Sequence, residues 1–485
     1  MDSELQSKTI RAGIWSFAEA VGLRGVQFLI GIVLARILMP EQFGLIGMLA
    51  IFIAIAKSFL DSGFGAALIQ RQEITEKDTC SIFYFNIVVG ILAAGCLCWI
   101  APRVSAFYGQ PILVPILDAL SLVLVINAFG LVQETLLMKT LDFKTQTKVS
   151  LIASVLSGGL GIALAYRGLG VWSLVAQQLS AAVFRTVLFW IFSRWRPAWV
   201  FSFRSLKEMF GFGSKMLASG LLNTLFDNIY YIVIGKLFSP ASLGYFTRAD
   251  SIQQLPSITL TGVVGRVTFP VFSKIQHDRE RMKRGMKKSL SLLVLFNFPL
   301  MIGLAVVARP LVLVLLTEKW APCIPYLQLL SLVGLMFPLN VMNLTVLQAL
   351  GRSDLFLRLE IIKKALIVAN IAITWRWGIM AMIAGQVVTS VASYYLNAYY
   401  NRALLNYSVW EQIGDMYPYL LNTSLMGAAV YAMQHLPIAS PAILLVCQVA
   451  VGICLYMFLC RIFRNAAYMN IQEMLFRRLP FQAIP

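Results

Sequence analysis

Fourteen apolar segments of 18–28 residues divide the chain, and they limit what it can fold into. They run over 13–38, 43–60, 80–101, 113–133, 149–166, 171–193, 212–236, 245–272, 289–307, 324–350, 356–374, 379–400, 418–435 and 442–461. About 20 apolar residues in a helix cross the hydrocarbon of a bilayer. With no water there to satisfy backbone groups, only helices and closed barrels can span it. The segments therefore predict an all-α polytopic membrane protein of about 14 transmembrane helices. A further apolar run, 310–316, is too short to cross and reads as a re-entrant or interfacial turn. Of the 485 residues, 59% are hydrophobic and only 13% charged. Soluble chains carry about 25% charged residues, so a soluble multi-domain enzyme is excluded.

The net charge of +18 would suggest nucleic acid in a soluble protein. Here the Lys and Arg are sorted by loop. On the side of the N-terminus 27 fall in connections or tails, seven of them between Lys274 and Lys288. The opposite side has five: Arg103, Arg167, Arg309, Lys319 and Arg376. Basic residues gather on the cytoplasmic side, so both termini are expected there and no nucleic-acid partner is called for. The 274–288 stretch reads as a solvated loop meeting anionic lipid. The segment before the first apolar run, MDSELQSKTIRAG, lacks the basic region and cleavage site of a signal peptide, so the first span is expected to be retained. The seven cysteines lie almost all in apolar runs and read as small buried hydrophobes, without disulfide or zinc spacing. Two histidines, His277 and His435, are too few and too far apart for a metal site, and no cofactor is expected.

The chain repeats itself at an offset near 200. ARILMPEQFGLIGM and IGKLFSPASLGYFT align Arg36 with Lys236, Pro40 with Pro240 and Gly44 with Gly244. A second echo aligns Gly170 with Gly378 and Gln178 with Gln386. The expected organisation is an N-lobe of six helices over 1–200, a parallel C-lobe of six over 201–402, and two helices with a cytoplasmic tail over 403–485. Two parallel halves are one design for alternating access, with the substrate site between them near the midplane.

The strings ARILMPEQFGLIGM, FLDSGFGAALIQRQ, LGYFTRADSIQQLP, VTFPVFSKIQHDRERM and LLTEKWAPCIPYLQLL carry a resemblance. The chain resembles the multidrug/oligosaccharidyl-lipid/polysaccharide flippase superfamily, and within it the polysaccharide exporters of the colanic-acid/O-unit type. The resemblance covers the first twelve helices. It implies two six-helix lobes in a V that flip undecaprenyl-pyrophosphate-linked sugar repeat units from the cytoplasmic to the periplasmic leaflet.

Carrying a head group with two phosphates past hydrocarbon calls for a wet, cationic, hydrogen-bonding cavity. Charges inside spans cost about 2.5–3.5 kcal/mol each on insertion scales and tend to face such cavities. In the first segment Ser16, Ala20, Arg24, Gln27, Gly31 and Ala35 share one small, polar face. Arg24, about 17 Å into the segment at an α-helical rise, is the first candidate for the pyrophosphate, with Gln27 beside it. The seventh segment places Ser219, Asn223, Asp227 and Tyr230 on one face. Asn223 and Lys215 join the substrate-binding candidates; Asp227 is a candidate for proton or sodium coupling, with Glu19 and Asp250 as further ones. Structural pairing of Arg24 with Glu19 or Asp227 is the competing reading. The eighth segment carries Arg248 and Arg266 at opposite ends of one face, with the stripe Asp250, Gln254, Ser257 and Thr261 alongside as a polar track. Lys57 and Lys215 lie near cytoplasmic helix ends, where snorkelling accounts for most lysines.

The leading expectation is thus an inner-membrane flippase, not an enzyme. Its partners would be the lipid-linked oligosaccharide and membrane lipid, with glycosyltransferases and a polysaccharide polymerase as functional neighbours, and the default state is a monomer. A cation-coupled exporter of amphipathic drugs is the alternative; its cavity should be acidic and aromatic, whereas the deep charges here are at least as basic. A non-transporting scaffold for polysaccharide synthesis is the other alternative. A polymerase or ligase would need acid/base groups on a sizeable outer loop, and the connections are all under twenty residues.

Overall fold

The computed structural model describes residues 22–61, 64–71, 74–437 and 440–478. Among the described residues there is no strand, and nearly all lie in helices. The chain forms two compact units, Met1–Thr247 and Arg248–Pro485. The first holds α1 (22–37), α2 (Pro40–Asp61), α3 (Phe64–Gln70), α4 (Glu76–Tyr108), α5 (Leu113–Ala128) and α6 (Leu131–Lys139). It continues with α7 (Phe143–Tyr166), α8 (Val171–Phe192), α9 (Phe203–Asp227), α10 (Ile229–Leu237) and the first turns of α11 (Pro240–Lys274). The second holds the rest of α11, then α12 (Arg279–Val306), α13 (Ala308–Leu315), α14 (Cys323–Ala349) and α15 (Ser353–Thr374). It ends with α16 (Ile379–Leu405), α17 (Val409–Ala432), α18 (Pro441–Ile462) and α19 (Ala466–Arg478).

Within the described residues, every apolar segment of the sequence coincides with one helix or with a pair of helices meeting at a bend. Among the described residues, eight helices are long and apolar enough to cross a membrane alone, and the two bent pairs bring the number to ten. α11, α15 and α17 are as long but more polar; α15 carries Arg358, Glu360, Lys363 and Lys364, of which Lys363 pairs with Glu360. The short run read as re-entrant is α13, eight residues long. That is about 12 Å of helix, well short of the hydrocarbon.

The bends have local causes. α5 and α6 meet at 44° around Phe129 and Gly130. The carbonyls freed there are taken by side chains of α8: the Thr186 hydroxyl donates to Ile126 O at 3.1 Å and Trp190 Nε1 donates to Phe129 O at 2.8 Å. α9 and α10 meet at 42° beside Asn228, whose amide Nδ2 donates to the Thr224 carbonyl at 2.9 Å. A side chain competing for a helical carbonyl is a common origin of such breaks.

The two Pro–Gly strings adopt the same local geometry. Pro40 opens α2 and Pro240 opens α11, as prolines do where the first N–H groups have no helical partner. Four residues on, Gly44 and Gly244 bring these two helix starts together reciprocally. A Cβ on Gly44 would overlap the Pro240 carbonyl, and a Cβ on Gly244 would overlap the Pro40 carbonyl. The second echo also recurs. Gly170 and Gly378 immediately precede α8 and α16 at φ +57° and +90°, where a side chain would be strained.

Each unit has its own core. In the first, Phe83 of α4 meets Trp190 and Trp195 edge to face at centroid distances of 6.1 and 5.6 Å. The basic connection after α8 is fastened to the start of α4, where Ser202 N donates to Ser81 Oγ at 2.7 Å and Tyr84 OH donates to Ala198 O at 3.0 Å. In the second, α12 is central, with Met286, Leu290, Val294 and Met301 buried. Two amide bridges, the second of them buried, join α14 to α16: Asn397 Nδ2 donates to Asn340 Oδ1 at 2.7 Å, and Asn401 Nδ2 to Asn343 Oδ1 at 2.6 Å.

One expectation needs correcting. Cys80, Cys323 and Cys460 are buried, but Cys96, Cys98 and Cys454 are exposed. A span that faces lipid is apolar on its outer side as well, so an apolar neighbourhood in sequence does not fix which way a cysteine points.

Gly44→Ala is expected to destabilise the protein by roughly 1–3 kcal/mol through overpacking, read as a lower unfolding midpoint in detergent. Gly262→Ala on α11, where a new methyl would meet nothing within 4 Å, is expected to shift the midpoint upward through helix propensity.

Candidate functional site

The sequence candidates fall into three groups. Arg24 is half-buried on α1 and Gln27 is exposed one turn later; Asn223 and Asp227 are exposed on the last two turns of α9. Arg24, Asn223 and Asp227 each engage neighbours. Asp227 is the final residue of α9 before the bend, and so sits at the carbonyl end of a broken helix. That end carries the negative pole of the helix dipole, which a carboxylate reinforces and a cation would offset. Glu19 lies outside the described residues, as do the side chains of Lys215 and Arg266.

On α11 the expected polar track divides. Its first part is accessible: Gln254 is exposed, and its Nε2 donates to Asp250 Oδ2 at 2.9 Å. Its second part is not. Ser257 and Thr261 are buried, with the Ser257 hydroxyl 3.4 Å from Met301 Sδ of α12 and the Thr261 hydroxyl returned to the Ser257 carbonyl at 2.7 Å. Neither residue is open to an aqueous path, and Ser257 meets α12, because a serine or threonine can satisfy itself on its own helix and then be buried. Arg248, on the same helix, lies with its guanidinium 5.8 Å from the ring centre of Trp320, a fully buried side chain.

A charged pair in the first unit is one that the sequence reading does not single out. Glu134 of α6 and Arg185 of α8 form an ion pair, each side chain about a third exposed. Gln146 of α7 adds an amide donor to the same Glu134 oxygen at 3.5 Å, and the Arg185 guanidinium lies 5.5 Å from the Phe189 ring. The pair lines a cavity of about 540 Å³ whose wall also includes Lys57 and Ser58 of α2 and Asn127 of α5. A signal for it exists: Arg185 stands in the middle of segment 171–193, and an ionisable residue inside a span is a functional candidate by default. Glu134 falls one residue past segment 113–133, which hides it.

The basic stretch 274–288 is solvated as expected, with Lys274, Arg279, Arg281, Arg284 and Lys288 exposed, but it is not a loop. From Arg279 onward it is the start of α12. Lys283 Nζ donates to Glu411 Oε2 at 2.9 Å and to Asn406 O at 2.6 Å, and Lys287 pairs with Asp415 at 3.1 Å. The Tyr407 hydroxyl donates to Asp415 Oδ2 at 2.8 Å. Burial, and then this hydrogen bond, push the phenol above its ordinary pKa and keep it a donor. The lysines therefore fasten α12 to α17, because Glu411 and Asp415 lie one turn apart on the facing helix. Among the described residues, no group of three or more His, Cys, Asp or Glu side chains could hold a metal ion.

Several known proteins are similar to this chain. It is 33% identical over 302 residues to the teichuronic acid biosynthesis protein TuaB of Bacillus subtilis, covering 62% of each chain. It is 29% identical over 403 residues to the lipopolysaccharide biosynthesis protein WzxC of Escherichia coli, covering 81% of each. It is 28% identical over 333 residues to the succinoglycan biosynthesis transport protein ExoT of Rhizobium meliloti, covering 68% of this chain and 67% of that one. The match to the Bacillus protein thus spans a little under two thirds of its length. Among solved structures the fold is similar to that of the lipid II flippase MurJ in an inward closed conformation, with a TM-score of 0.73 at 13% identity over 94% of this chain and 98% of that one. The family profile described as polysaccharide biosynthesis protein matches residues 33–325, more than half of the sequence. This multi-pass helical membrane protein belongs to the polysaccharide biosynthesis protein family.

Proposed function

We propose that the chain flips an undecaprenyl-pyrophosphate-linked oligosaccharide repeat unit from the cytoplasmic to the periplasmic leaflet, by alternating access, for export of exopolysaccharide, O-antigen or capsule. The observation that carries this reading is the presence of cationic side chains within the helices of the apolar segments: Arg24 on α1, Arg185 on α8 and Arg248 on α11. Each costs a few kcal/mol to insert, and a phosphate-bearing head group is the cargo that makes use of them. The names of the relatives agree, since they are proteins of polysaccharide biosynthesis and one is a transport protein. The same basic groups disfavour a cationic drug as cargo.

In this reading the functional lobes are 1–200 and 201–402, with 403–485 as an appendix, and fourteen helices cross the inner membrane with both termini in the cytoplasm. Arg24, Gln27, Asn223, Lys215, Arg248 and Arg266 serve the head group. Asp227, at the carbonyl end of α9, is the coupling carboxylate that takes up a proton or sodium ion, with Asp250 and Glu19 as further candidates. The chain works as a monomer, carries out no bond chemistry, and receives its substrate from glycosyltransferases and passes it to a polymerase.

Arg24→Ala is expected to lower polymer export about tenfold or more, the loss of a charge-assisted contact, while the protein still inserts; normal export would remove Arg24 from the mechanism. Asp227→Asn is expected to alter the pH or sodium dependence of transport in vesicles, and an unchanged profile would make Asp227 structural. For orientation, alkaline phosphatase fused after Arg167 or Arg376 should be active and the same enzyme fused after Asp278 inactive; the reverse pattern would overturn the assignment of the termini.

A further inference from the structure

The cavity of the first unit, bounded by α2, α6 and α8, has a chemistry of its own. Its wall holds two cations, Lys57 and Arg185, and one anion, Glu134. The hydroxyls of the wall are already engaged: Ser58 donates to Ala54 O at 3.0 Å, Thr135 to Leu131 O at 2.8 Å and Thr186 to Ile126 O at 3.1 Å. The polar groups left to meet a ligand are therefore mainly the three charges and the Asn127 amide. Arg185 reaches Glu134 through Nη2, while its Nε, shielded from solvent, has no hydrogen-bond partner among the described residues. Lys57 is exposed to the cavity and makes no ion pair among the described residues. A volume of about 540 Å³ lies in the range of small-molecule sites.

We propose that this cavity is a binding site for a diphosphate group, with Lys57 and Arg185 as its ligands and Glu134 as a resident competitor. The guanidinium fork suits phosphate oxygens, and the lysine supplies a point charge beside it. With the site empty, Glu134 keeps Arg185 from standing as an uncompensated charge within the bundle. A diphosphate carries more negative charge than one carboxylate and displaces it from Arg185. Glu134 thus sets a threshold that singly charged head groups do not cross. The inference rests on the transport reading above for the source of the diphosphate; the cavity and its charges stand apart from that reading.

The test uses the full chain purified in phosphatidylcholine nanodiscs, with radiolabelled farnesyl diphosphate as probe and inorganic pyrophosphate as competitor. Lys57→Ala and Arg185→Ala should each weaken probe binding about tenfold, as expected for a lost charge-assisted contact. Glu134→Gln should tighten it several-fold. The opposite signs separate this role from a structural one, because breaking a purely structural pair would leave binding unchanged or weaker in both members. A gain of affinity in Glu134→Gln also cannot come from misfolding. Pyrophosphate should displace the probe. Displacement by phosphatidylglycerol but not by pyrophosphate would overturn the proposal, as would unchanged affinity in Glu134→Gln or in both cation variants. Diphosphate binding with this pattern in a protein that exports no polymer would leave the site standing and remove the transport reading. Export that proceeds without such binding would do the reverse.

Discussion

Water is missing from the medium in which this chain folds, and the rest of the structure follows from that. Each backbone N–H and C=O inside hydrocarbon needs a partner from the chain itself, so the described residues are almost wholly helical. The same rule governs the exceptions. Where α5 breaks from α6, the freed carbonyls of Ile126 and Phe129 are met by Thr186 and Trp190 from a neighbouring helix. In the second unit, Asn397 and Asn401 of α16 donate to Asn340 and Asn343 of α14. Charge obeys it too: Arg185 is accompanied by Glu134, and the lysines at the start of α12 by carboxylates of α17.

Much of this is legible in the sequence, because hydrophobicity over about 20 residues is a strong, local signal. The apolar segments correspond to helices one for one or two for one, and the short run after Arg309 is a helix too short to cross. The repeat is legible because its punctuation is proline and glycine, residues whose backbone requirements survive when side chains drift. Orientation is what the pattern does not hold. Periodicity places Ser257 and Thr261 on a polar stripe, yet both are buried: Ser257 meets Met301 of α12, and the Thr261 hydroxyl, bonded to its own helix, behaves as a small apolar group. Cys96 and Cys454 sit in apolar runs but are exposed. The basic cluster 274–288 looks like a loop from its charge, although acidic partners over a hundred residues away make it a helix start with anchored lysines.

The candidate site is legible in part. Arg24, Asp227 and Arg248 can be named from charge inside apolar runs. The pairing of Glu134 with Arg185 cannot, because it joins residues 51 positions apart. Only three-dimensional packing reveals that α6 and α8 share a cavity wall with Lys57. Long-range pairing is the information a single sequence withholds most, whereas the cost of each charge in the membrane can be read residue by residue.

The junction of Pro40–Gly44 with Pro240–Gly244 is main chain against main chain, with no side chain between the glycines and the facing carbonyls. Interlocked side chains resist separation, since rotamers must rearrange before they slide apart. At Gly44 and Gly244 the two helix starts meet without any such interlock. The halves of the seam come from α2 and α11, and a methyl added on either side strikes the main chain of the other. Neither loss can be compensated across the seam, so each position requires glycine by itself.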